Sequence, residues 1–318
     1  MRKTLSGKKV VIFGGAGFIG SHLVKHICKE SCQINIITRN PKDELPIFFA
    51  NDPGQIKLKK INKFSQDEID NQIEGSDVVF NLIGILAESK KSSFNFVHIK
   101  IPEMIAKSAK KNKVSNLIHV SALNVNKIKT STYARSKYLG EVKVREIFPN
   151  SLIIRPGVVF GKGDNFTNFF SFLAKFSPVL PIIGTPSVKF SQGIFNVFDF
   201  SKKVKFQPIY VGDLVKFIIE KYHEKNKEYD LVGPVIKNFT EIYDVILNHQ
   251  GKKRFYVPLP FFLANIIAFF LENLPKPLLT QDQINLLHYD SVSTKGLANL
   301  KSVIKNPASM ETIVKNYL

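Results

Sequence analysis

The chain has 318 residues, of which 44% are hydrophobic and 22% charged, and this globular composition argues against a disordered protein. Its two cysteines, Cys28 and Cys32, exclude a disulfide scaffold and predict a reducing, cytoplasmic location. The net charge is +19, but only six of the 45 cationic residues are arginines and no nucleic-acid-binding motif occurs, so we expect no nucleic acid partner. The scattered lysines leave two interpretations, a solvated surface or attraction to anionic lipid or an acidic protein.

Strands and helices alternate along the first half of the chain. Short β-branched runs predict strands, and apolar residues at helical spacing predict the helices between them. The predicted strands are residues 9–14, 33–38, 77–82, 116–120 and 151–154, and the predicted helices include 18–30, 94–111 and 133–147. This alternation predicts an α/β fold built on a Rossmann-type, doubly wound parallel sheet.

The alternation weakens after about Phe160, where Phe, Pro and Gly become frequent. We therefore predict a Rossmann core over residues 1–160 and a smaller, mainly helical region for substrate or partner over 161–318. A strand and a helix around 206–222 are expected to return to the core. Residues 185–205 look like an insertion on the side where substrate enters, which either covers the pocket or binds a partner.

A glycine-rich turn joins the first predicted strand to the first helix. Gly14, Gly17 and Gly20 have the spacing that permits a tight turn, close approach to a pyrophosphate, and close packing of helix on strand. Phe18 and Ile19 open the helix, whose positive end attracts phosphate. The strand–turn–helix context makes this pattern indicative of a dinucleotide site.

The end of the second strand predicts which dinucleotide. An NAD site carries Asp or Glu there to bond the ribose 2′-hydroxyl. This chain has Arg39 instead, which can grip a 2′-phosphate, and no acid that would repel it. We therefore expect NADP(H) as cofactor in preference to NAD(H).

A Ser-Tyr-Lys set follows the fourth strand. Ser121 comes directly after that strand, and Tyr133 and Lys137 lie four residues apart on one face of the next helix. Lys137 and a nicotinamide ribose are expected to lower the pKa of the Tyr133 phenol, so that it acts as general acid or base, while Ser121 bonds a reacting carbonyl. No ligand cluster with zinc spacing occurs beside the histidines and cysteines of the first helix, so we expect no metal.

Together these motifs resemble an extended or atypical short-chain dehydrogenase/reductase of the NAD-dependent epimerase/dehydratase superfamily. The finer resemblance is to the short-chain-dehydrogenase-like, nucleotide-binding accessory subunit of respiratory complex I and its bacterial relatives. It rests on NLIGIL (81–86), HVSALN (119–124), YARSKYLGEVKVRE (133–146), RPGVVFGKGDNFTNFF (155–170), FQPIYVGDLV (206–215) and the segment 257–287. The resemblance implies that the cofactor contacts Gly14, Gly17, Phe18, Ile19, Gly20, Arg39, Asn81, Gly84, Tyr133, Lys137 and Pro156.

The resemblance leaves the activity open. His98 stands where sugar-nucleotide relatives carry the Asn of a proton relay. One interpretation is an NADP(H)-binding accessory or assembly subunit of NADH:quinone oxidoreductase, peripheral on the inner face of the energy-transducing membrane. The other is an active oxidoreductase or epimerase that uses Ser121, Tyr133 and Lys137 on a quinone precursor, isoprenoid or sugar nucleotide.

One further segment bears on this choice. Residues 261–274 form a strongly apolar helix bounded by prolines, and it is too short to span a bilayer. It is either a buried helix of the C-terminal region or a helix that lies on a membrane or a membrane-bound partner. Lys252, Lys253, Arg254 and Lys276 flank it, as anionic headgroups would favour.

Overall fold

The computed structural model describes residues 4–39, 54–185, 187–191, 194–199, 203–275 and 277–318. Its strands are β1 (Lys9–Phe13), β2 (Gln33–Thr38), β3 (Ile56–Lys60), β4 (Val78–Asn81), β5 (Asn116–Val120), β6 (Leu152–Pro156), β7 (Val159–Phe160), β8 (Val179–Ile183), β9 (Ser187–Ser191), β10 (Ile194–Asp199), β11 (Ile209–Tyr210), β12 (Lys227–Leu231) and β13 (Phe255–Leu259).

The α-helices are α1 (Phe18–Ile27), α2 (Gln66–Ile73), α3 (Ile101–Lys111), α4 (Thr132–Ile147), α5 (Asn165–Phe176), α6 (Val211–Lys221), α7 (Phe239–Gln250), α8 (Phe261–Leu271), α9 (Gln281–Leu287), α10 (Thr294–Lys301) and α11 (Met310–Ile313). A π-helical segment, Asn95–Lys100, precedes α3, and a 3₁₀ turn, Val314–Asn316, follows α11.

Among the described residues, seven parallel strands form the central sheet in the order β12-β6-β5-β4-β1-β2-β3. The sheet runs outwards in both directions from β1, which is the doubly wound Rossmann arrangement. The α/β fold class is therefore confirmed. The strand order reverses between β1 and β4, and at such a point the connecting loops diverge and leave a crevice at the carboxyl ends of the strands.

Both faces of the sheet are buried, which is why its central strands are almost wholly apolar. One face packs on α1 and α6, with Leu23 and Phe217 in the shared core. The other face packs on α2, α3 and α4, with Ile69 and Ile105 in the second core. The chain returns to the sheet after residue 206, since β11 pairs with β7 and β12 extends the sheet beyond β6.

Two local predictions differ from the structure. The strand β3, with sequence IKLKK, was not among the predicted strands; it is the edge of the sheet, and its lysines hide the apolar signal of a buried strand. The helix predicted over 94–111 begins as the π-helical segment and becomes α-helical only at Ile101. Pro102 lacks the N–H that would bond the carbonyl of His98, so the regular hydrogen-bond ladder is interrupted there.

A third hydrophobic cluster lies in the C-terminal half, where α5, α7 and α9 contribute Phe170, Tyr243 and Ile284. Strands β8 and β13 pair in parallel beside it. In the predicted insertion, β9 and β10 pair antiparallel, while residues 186, 192–193 and 200–202 lie outside the described residues, as does Lys276. The division of the chain at residue 160 stays a prediction.

The apolar helix predicted over 261–274 is α8, and it is only partly buried. Ala264 and Ala268 face the protein, whereas Phe262, Ile266 and Phe270 are exposed. It packs on α9, and Phe261 stacks on His288 with ring centroids 3.8 Å apart. In the part of the chain that the structure describes, no helix combines the length and the apolar character needed to cross a bilayer.

Candidate functional site

The glycine-rich turn lies at the carboxyl end of β1, beside the crevice. Gly14 has φ +80°, a conformation that side chains disfavour, and a Cβ there would come within 3.0 Å of the Leu82 backbone. Its carbonyl accepts a hydrogen bond from the Gly17 N–H at 3.0 Å. Gly14 therefore holds the turn against the loop that follows β4.

A side chain would have different effects at Gly20 and at Gly17. A Cβ on Gly20 would overlap the Gly14 carbonyl and the Gly15 backbone, so Gly20 allows α1 to pack against the turn. A Cβ on Gly17 would meet only the Gly14 carbonyl, at 3.3 Å, and Gly17 has an ordinary extended backbone. Space beside Gly17 thus remains for a ligand.

The N-terminus of α1 opens onto that space. Gly17 is its N-cap residue, no side chain caps it, and its first turn carries no acid. The first amides of a helix point away from the helix along its axis, where the helix dipole is positive. The start of α1, at Phe18 and Ile19, is therefore suited to bind a diphosphate.

Arg39 lies one residue beyond β2, next to this turn. Strand pairing sets Ile37 of β2 beside Phe13 of β1, so the exposed Arg39 follows at the same edge as Gly14. This is the place that the Rossmann arrangement gives to the group that contacts the adenosine ribose.

The end of β4 carries Asn81, which is buried and paired in register with His119 of β5. Its Oδ1 accepts a hydrogen bond from the Ile83 N–H at 3.2 Å, and its Nδ2 lies 3.0 Å from His119 Nδ1. Because the amide oxygen is an acceptor here, Nδ2 donates to Nδ1, and the proton of His119 is on Nε2. Both polar groups of Asn81 are thus engaged within the protein, where they shape the loop after β4.

Lys137 is buried against the end of β5. Its Nζ donates to the Val120 carbonyl at 3.2 Å, directly before Ser121, and a Cβ on Gly84 would lie 3.1 Å from it. Burial lowers the pKa of the Lys137 ammonium to about 8, against the opposing effect of Glu141. Gly84 thus keeps the loop after β4 close to the amine without covering it.

Ser121 begins the loop after β5, and its N–H bonds the Ile154 carbonyl. Its Oγ and the Nε2 of His119 are buried, and among the described residues neither has a hydrogen-bond partner. Buried polar groups as a rule have partners. These two atoms therefore fit a site that receives a polar ligand or ordered water.

Tyr133 opens α4 and packs edge-on against Phe94 and His98, at centroid distances of 5.8 and 5.3 Å. Burial, and to a smaller extent the Asp282 carboxylate, raises the pKa of the Tyr133 phenol to about 12. This is opposite to the lowering expected from Lys137, because the loss of hydration outweighs any field from that amine.

His98 is a structural histidine. Its Nε2 accepts a hydrogen bond from the Ile85 N–H at 3.1 Å, so Nδ1 carries the proton and bonds Ser136 Oγ at 2.8 Å. Ser136 in turn donates to the Tyr133 carbonyl. Burial, with Lys137 nearby, lowers the pKa of His98 to about 3. His98 therefore braces the loop after β4 and is not available as a proton carrier near neutral pH.

Two interactions at α4 cannot be read from the sequence. Asp282 of α9 accepts hydrogen bonds from Ser131 Oγ and from the Thr132 and Tyr133 amides, at 2.8, 2.7 and 3.0 Å. Arg155 of β6 makes a two-pronged pair with Glu141, which is almost fully buried. The partners are distant in sequence, so no local pattern marks them.

The arrangement fits a dinucleotide cofactor. The turn at Gly17 and the start of α1 would hold the diphosphate, Arg39 the adenosine end, and Lys137, Ser121 and Tyr133 the nicotinamide end. Pro156 ends β6 at the same edge, where its carbonyl accepts the Leu123 N–H. Within the described residues, no group of three or more metal-ligating side chains occurs.

Comparison with known proteins agrees with this geometry. Residues 6–173 match the NmrA-like family. Over 98% of the chain, the sequence is 31% identical to NADH dehydrogenase (ubiquinone) 1 alpha subcomplex subunit 9, mitochondrial, of Mus musculus, of which the match covers 79%. It is 26% identical to the NADH-ubiquinone oxidoreductase 40 kDa subunit, mitochondrial, of Neurospora crassa, over 100% of this chain and 80% of that protein.

Solved structures share the fold. The NADPH-dependent quinone oxidoreductase of Escherichia coli, complexed with NADPH, aligns with a TM-score of 0.71 at 15% identity, over 95% of this chain and 97% of that one. The triphenylmethane reductase of Citrobacter sp., complexed with NADP(H), aligns with a TM-score of 0.70 at 15% identity, over 97% and 100%. The chain belongs to the NmrA-like family, and to the same family as subunit 9 of the mitochondrial NADH dehydrogenase alpha subcomplex.

Proposed function

We propose that this protein is an NADP(H)-binding accessory or assembly subunit of NADH:quinone oxidoreductase, peripheral on the inner face of the energy-transducing membrane. The observation that carries the proposal is the extent of the similarity to the mitochondrial subunits. The NmrA-like match ends at residue 173, whereas the match to the Mus musculus subunit covers 98% of the chain. The shared features thus include the C-terminal half, which a nucleotide-binding core alone does not need.

The site supports a cofactor that is held rather than turned over. His98 and His119 both have pKa values lowered to about 3 by burial, and both make fixed hydrogen bonds through Nδ1. Both imidazoles are therefore neutral near pH 7, and neither would carry a proton to or from the nicotinamide end of the site. A dinucleotide that binds only the native state would add about 2.7 kcal/mol to stability at a hundredfold excess over Kd.

The preference for NADP(H) follows from charge. Arg39 is the exposed residue that follows β2, and the Rossmann geometry brings this position to the adenosine ribose. An Arg39→Asp variant replaces the cation by the acid of an NAD site. We expect this variant to bind NADPH at least tenfold more weakly and to bind NADH no more weakly than the wild type.

Gly17 provides the decisive variant. A Gly17→Leu side chain would fill the diphosphate space; its Cβ would lie 3.3 Å from the Gly14 carbonyl, a tight contact, and it needs no unusual backbone. We expect the purified variant to fold, to lose its thermal shift with NADPH, and to reduce the amount of protein that comigrates with NADH:quinone oxidoreductase in native gels of membranes. Wild-type protein that never comigrates with that enzyme would refute the accessory role.

A second function is favoured by one observation. Ser121, Tyr133 and Lys137 are all present, and Lys137 Nζ bonds the residue before Ser121. This set would serve an NADP(H)-dependent oxidoreductase or epimerase on a quinone precursor, isoprenoid or sugar nucleotide. The ceramide reductase of Caulobacter vibrioides is 29% identical over 56% of this chain and 55% of its own length.

Tyr133→Phe separates the two functions. The accessory role predicts that comigration and respiration are unchanged, because the ring packing of Tyr133 is retained and only its hydroxyl is lost. Turnover of a carbonyl substrate by the wild type, abolished in Tyr133→Phe, would instead establish the enzymatic role.

A further inference from the structure

Two adjoining parts of the surface carry exposed phenylalanines, and one of the two also carries cations. The first, the basic end, lies where α5 ends and β13 begins. There the side chains of Phe172, Phe176 and Phe255 are 62%, 69% and 77% exposed. The rings of Phe172 and Phe176 lie 4.8 Å apart. Burial of such rings is the usual outcome of folding, so a cluster of exposed ones marks a contact surface.

Hydrogen bonds tie the basic end into one unit. The Phe255 N–H donates to the Pro178 carbonyl at 3.0 Å, Arg254 Nε donates to the Ala174 carbonyl at 2.9 Å, and Lys252 Nζ approaches the Lys175 carbonyl. Lys252 and Arg254 therefore lie beside the end of α5, which carries Lys175 and the exposed Phe172 and Phe176, and Lys253 lies between them in sequence.

The second part is the α8 face. It consists of Phe262, Leu263, Ile266, Ile267, Phe269 and Phe270, all of which are exposed. At 3.6 residues per turn these six side chains cover about 160° of the helix circumference. Ala264 and Ala268, on the opposite side, face the protein. Strand β13 links the α8 face to the basic end, since Phe255 and Val257 alternate along it and are both exposed.

The two chain segments that form this surface carry charge of one sign, and Asp244 of α7, beside β13, accepts a hydrogen bond from the Tyr256 hydroxyl. From residue 165 to 183 and from 251 to 271 the chain contains no Asp or Glu, while it contains four cations there. The first acid after α8 is Glu272, which accepts a hydrogen bond from the Gln281 N–H. The surface is therefore complementary to an anionic partner.

The lack of polar side chains on the α8 face favours a lipid over a protein partner. Asn265 is the one polar residue between Phe261 and Leu271, and it is half-buried. A protein interface of ordinary kind has about one hydrogen bond per 100–200 Å². Lipid tails require none, and phosphate headgroups accept bonds from Lys and Arg.

We infer that the basic end and the α8 face together dock this protein onto an anionic phospholipid surface, with the phenylalanines of both parts among the acyl chains and the four cations on headgroup phosphates. This inference rests on the proposed peripheral membrane location and names the surface and the lipid chemistry that produce it. It requires neither the cofactor nor another subunit.

The test is cosedimentation of the purified full-length chain with vesicles of phosphatidylcholine, with and without phosphatidylglycerol, at low and high salt. Wild-type protein should bind the anionic vesicles and be partly released by salt. One variant, Lys175→Glu with Lys253→Glu, removes two exposed cations and should weaken binding more than tenfold, since each cation near the surface contributes about a fivefold factor. A second variant, Ile266→Ser with Phe270→Ser, should weaken binding to a similar degree by polarising the α8 face.

The matched control is Lys57→Glu with Leu58→Ser, which changes one exposed lysine and one exposed apolar side chain on the edge strand β3. It should bind vesicles as the wild type does, and thermal unfolding checks that all variants fold. The inference is overturned if the wild type binds no vesicles, if it binds neutral and anionic vesicles equally, or if the surface variants bind as the control does.

Comigration with NADH:quinone oxidoreductase gives a separate readout. If the wild type does not bind vesicles and the surface variants lose comigration, the partner is a protein and the lipid assignment is overturned. Vesicle binding through this surface by a wild type that never comigrates would refute the proposed function and leave the docking surface standing.

Discussion

The hydrogen bonds that Asp282 of α9 accepts from the start of α4 allow a quantitative prediction. Asp282 is the acceptor for Ser131 Oγ and for the Thr132 and Tyr133 amides, and so it joins the C-terminal half to the helix that carries Tyr133 and Lys137. The first amides of a helix have no partner within it. An Asp282→Ala variant therefore leaves two of them without an acceptor.

The expected loss in free energy of unfolding depends on the hydrogen bonds that the Asp282 carboxylate accepts and on the groups that can replace it. A hydrogen bond to a charged group contributes about 1.5–3 kcal/mol, and a lost helix cap costs about 0.5–2 kcal/mol. Ser131 Oγ still accepts from the Ala134 N–H, and Thr132 is exposed, so water can serve its amide. We therefore expect Asp282→Ala to lower the free energy of unfolding by about 2–3 kcal/mol, rather than by the sum of three full bonds.

Urea denaturation measures this loss, with Asp67→Ala as control. Asp67 lies in the first turn of α2 and interacts with the helix dipole, so its removal should cost about 0.3–1 kcal/mol. A second readout is the Tyr133 phenol, whose pKa should fall in Asp282→Ala because Asp282 raises it. Equal losses in the two variants, together with an unchanged Tyr133 titration, would refute the account of this contact.

Three other predictions concern buried groups. Glu141→Ala removes the two-pronged partner of Arg155 but leaves the Glu228 and Asp230 carboxylates 3.1 and 3.9 Å from its guanidinium. It should therefore cost less in urea unfolding than the about 3–5 kcal/mol of a stranded buried charge, yet more than Glu146→Ala, which breaks an exposed pair with Lys143 and should cost under about 1 kcal/mol. The Lys137 pKa of about 8 lies below its unfolded value of 10.5, so between these values the unfolded chain binds the extra proton and stability rises with pH. Lys137→Met should remove that rise, which is about 3 kcal/mol in full, and an unchanged pH profile would contradict the burial of a titrating amine. Burial raises the pKa of the Cys32 thiol to about 12, so it should resist thiol reagents at pH 8 until urea is added; rapid labelling of the native protein would show that it is accessible.

Local patterns determined the core of this protein. The spacing of Gly14, Gly17 and Gly20, the apolar runs of the sheet and the four-residue interval from Tyr133 to Lys137 are short-range signals, and each belongs to one strand, turn or helix. They were enough for the fold class, which is confirmed, and they place the predicted cofactor residues at the carboxyl edge of the sheet. The contacts of those residues with a dinucleotide stay a prediction.

Other features depended on contacts between distant segments. The sequence could not show that Asp282 meets α4, about 150 residues earlier, or that Asn81 bonds His119 across two strands, because neither pair has a local pattern. It also could not choose whether α8 is buried or exposed, since apolar residues all round a helix fit both. The tertiary structure decided this, because the side with Ala264 and Ala268 is small enough to pack closely on the neighbouring helix, and Phe262, Phe269 and Phe270 are left outside.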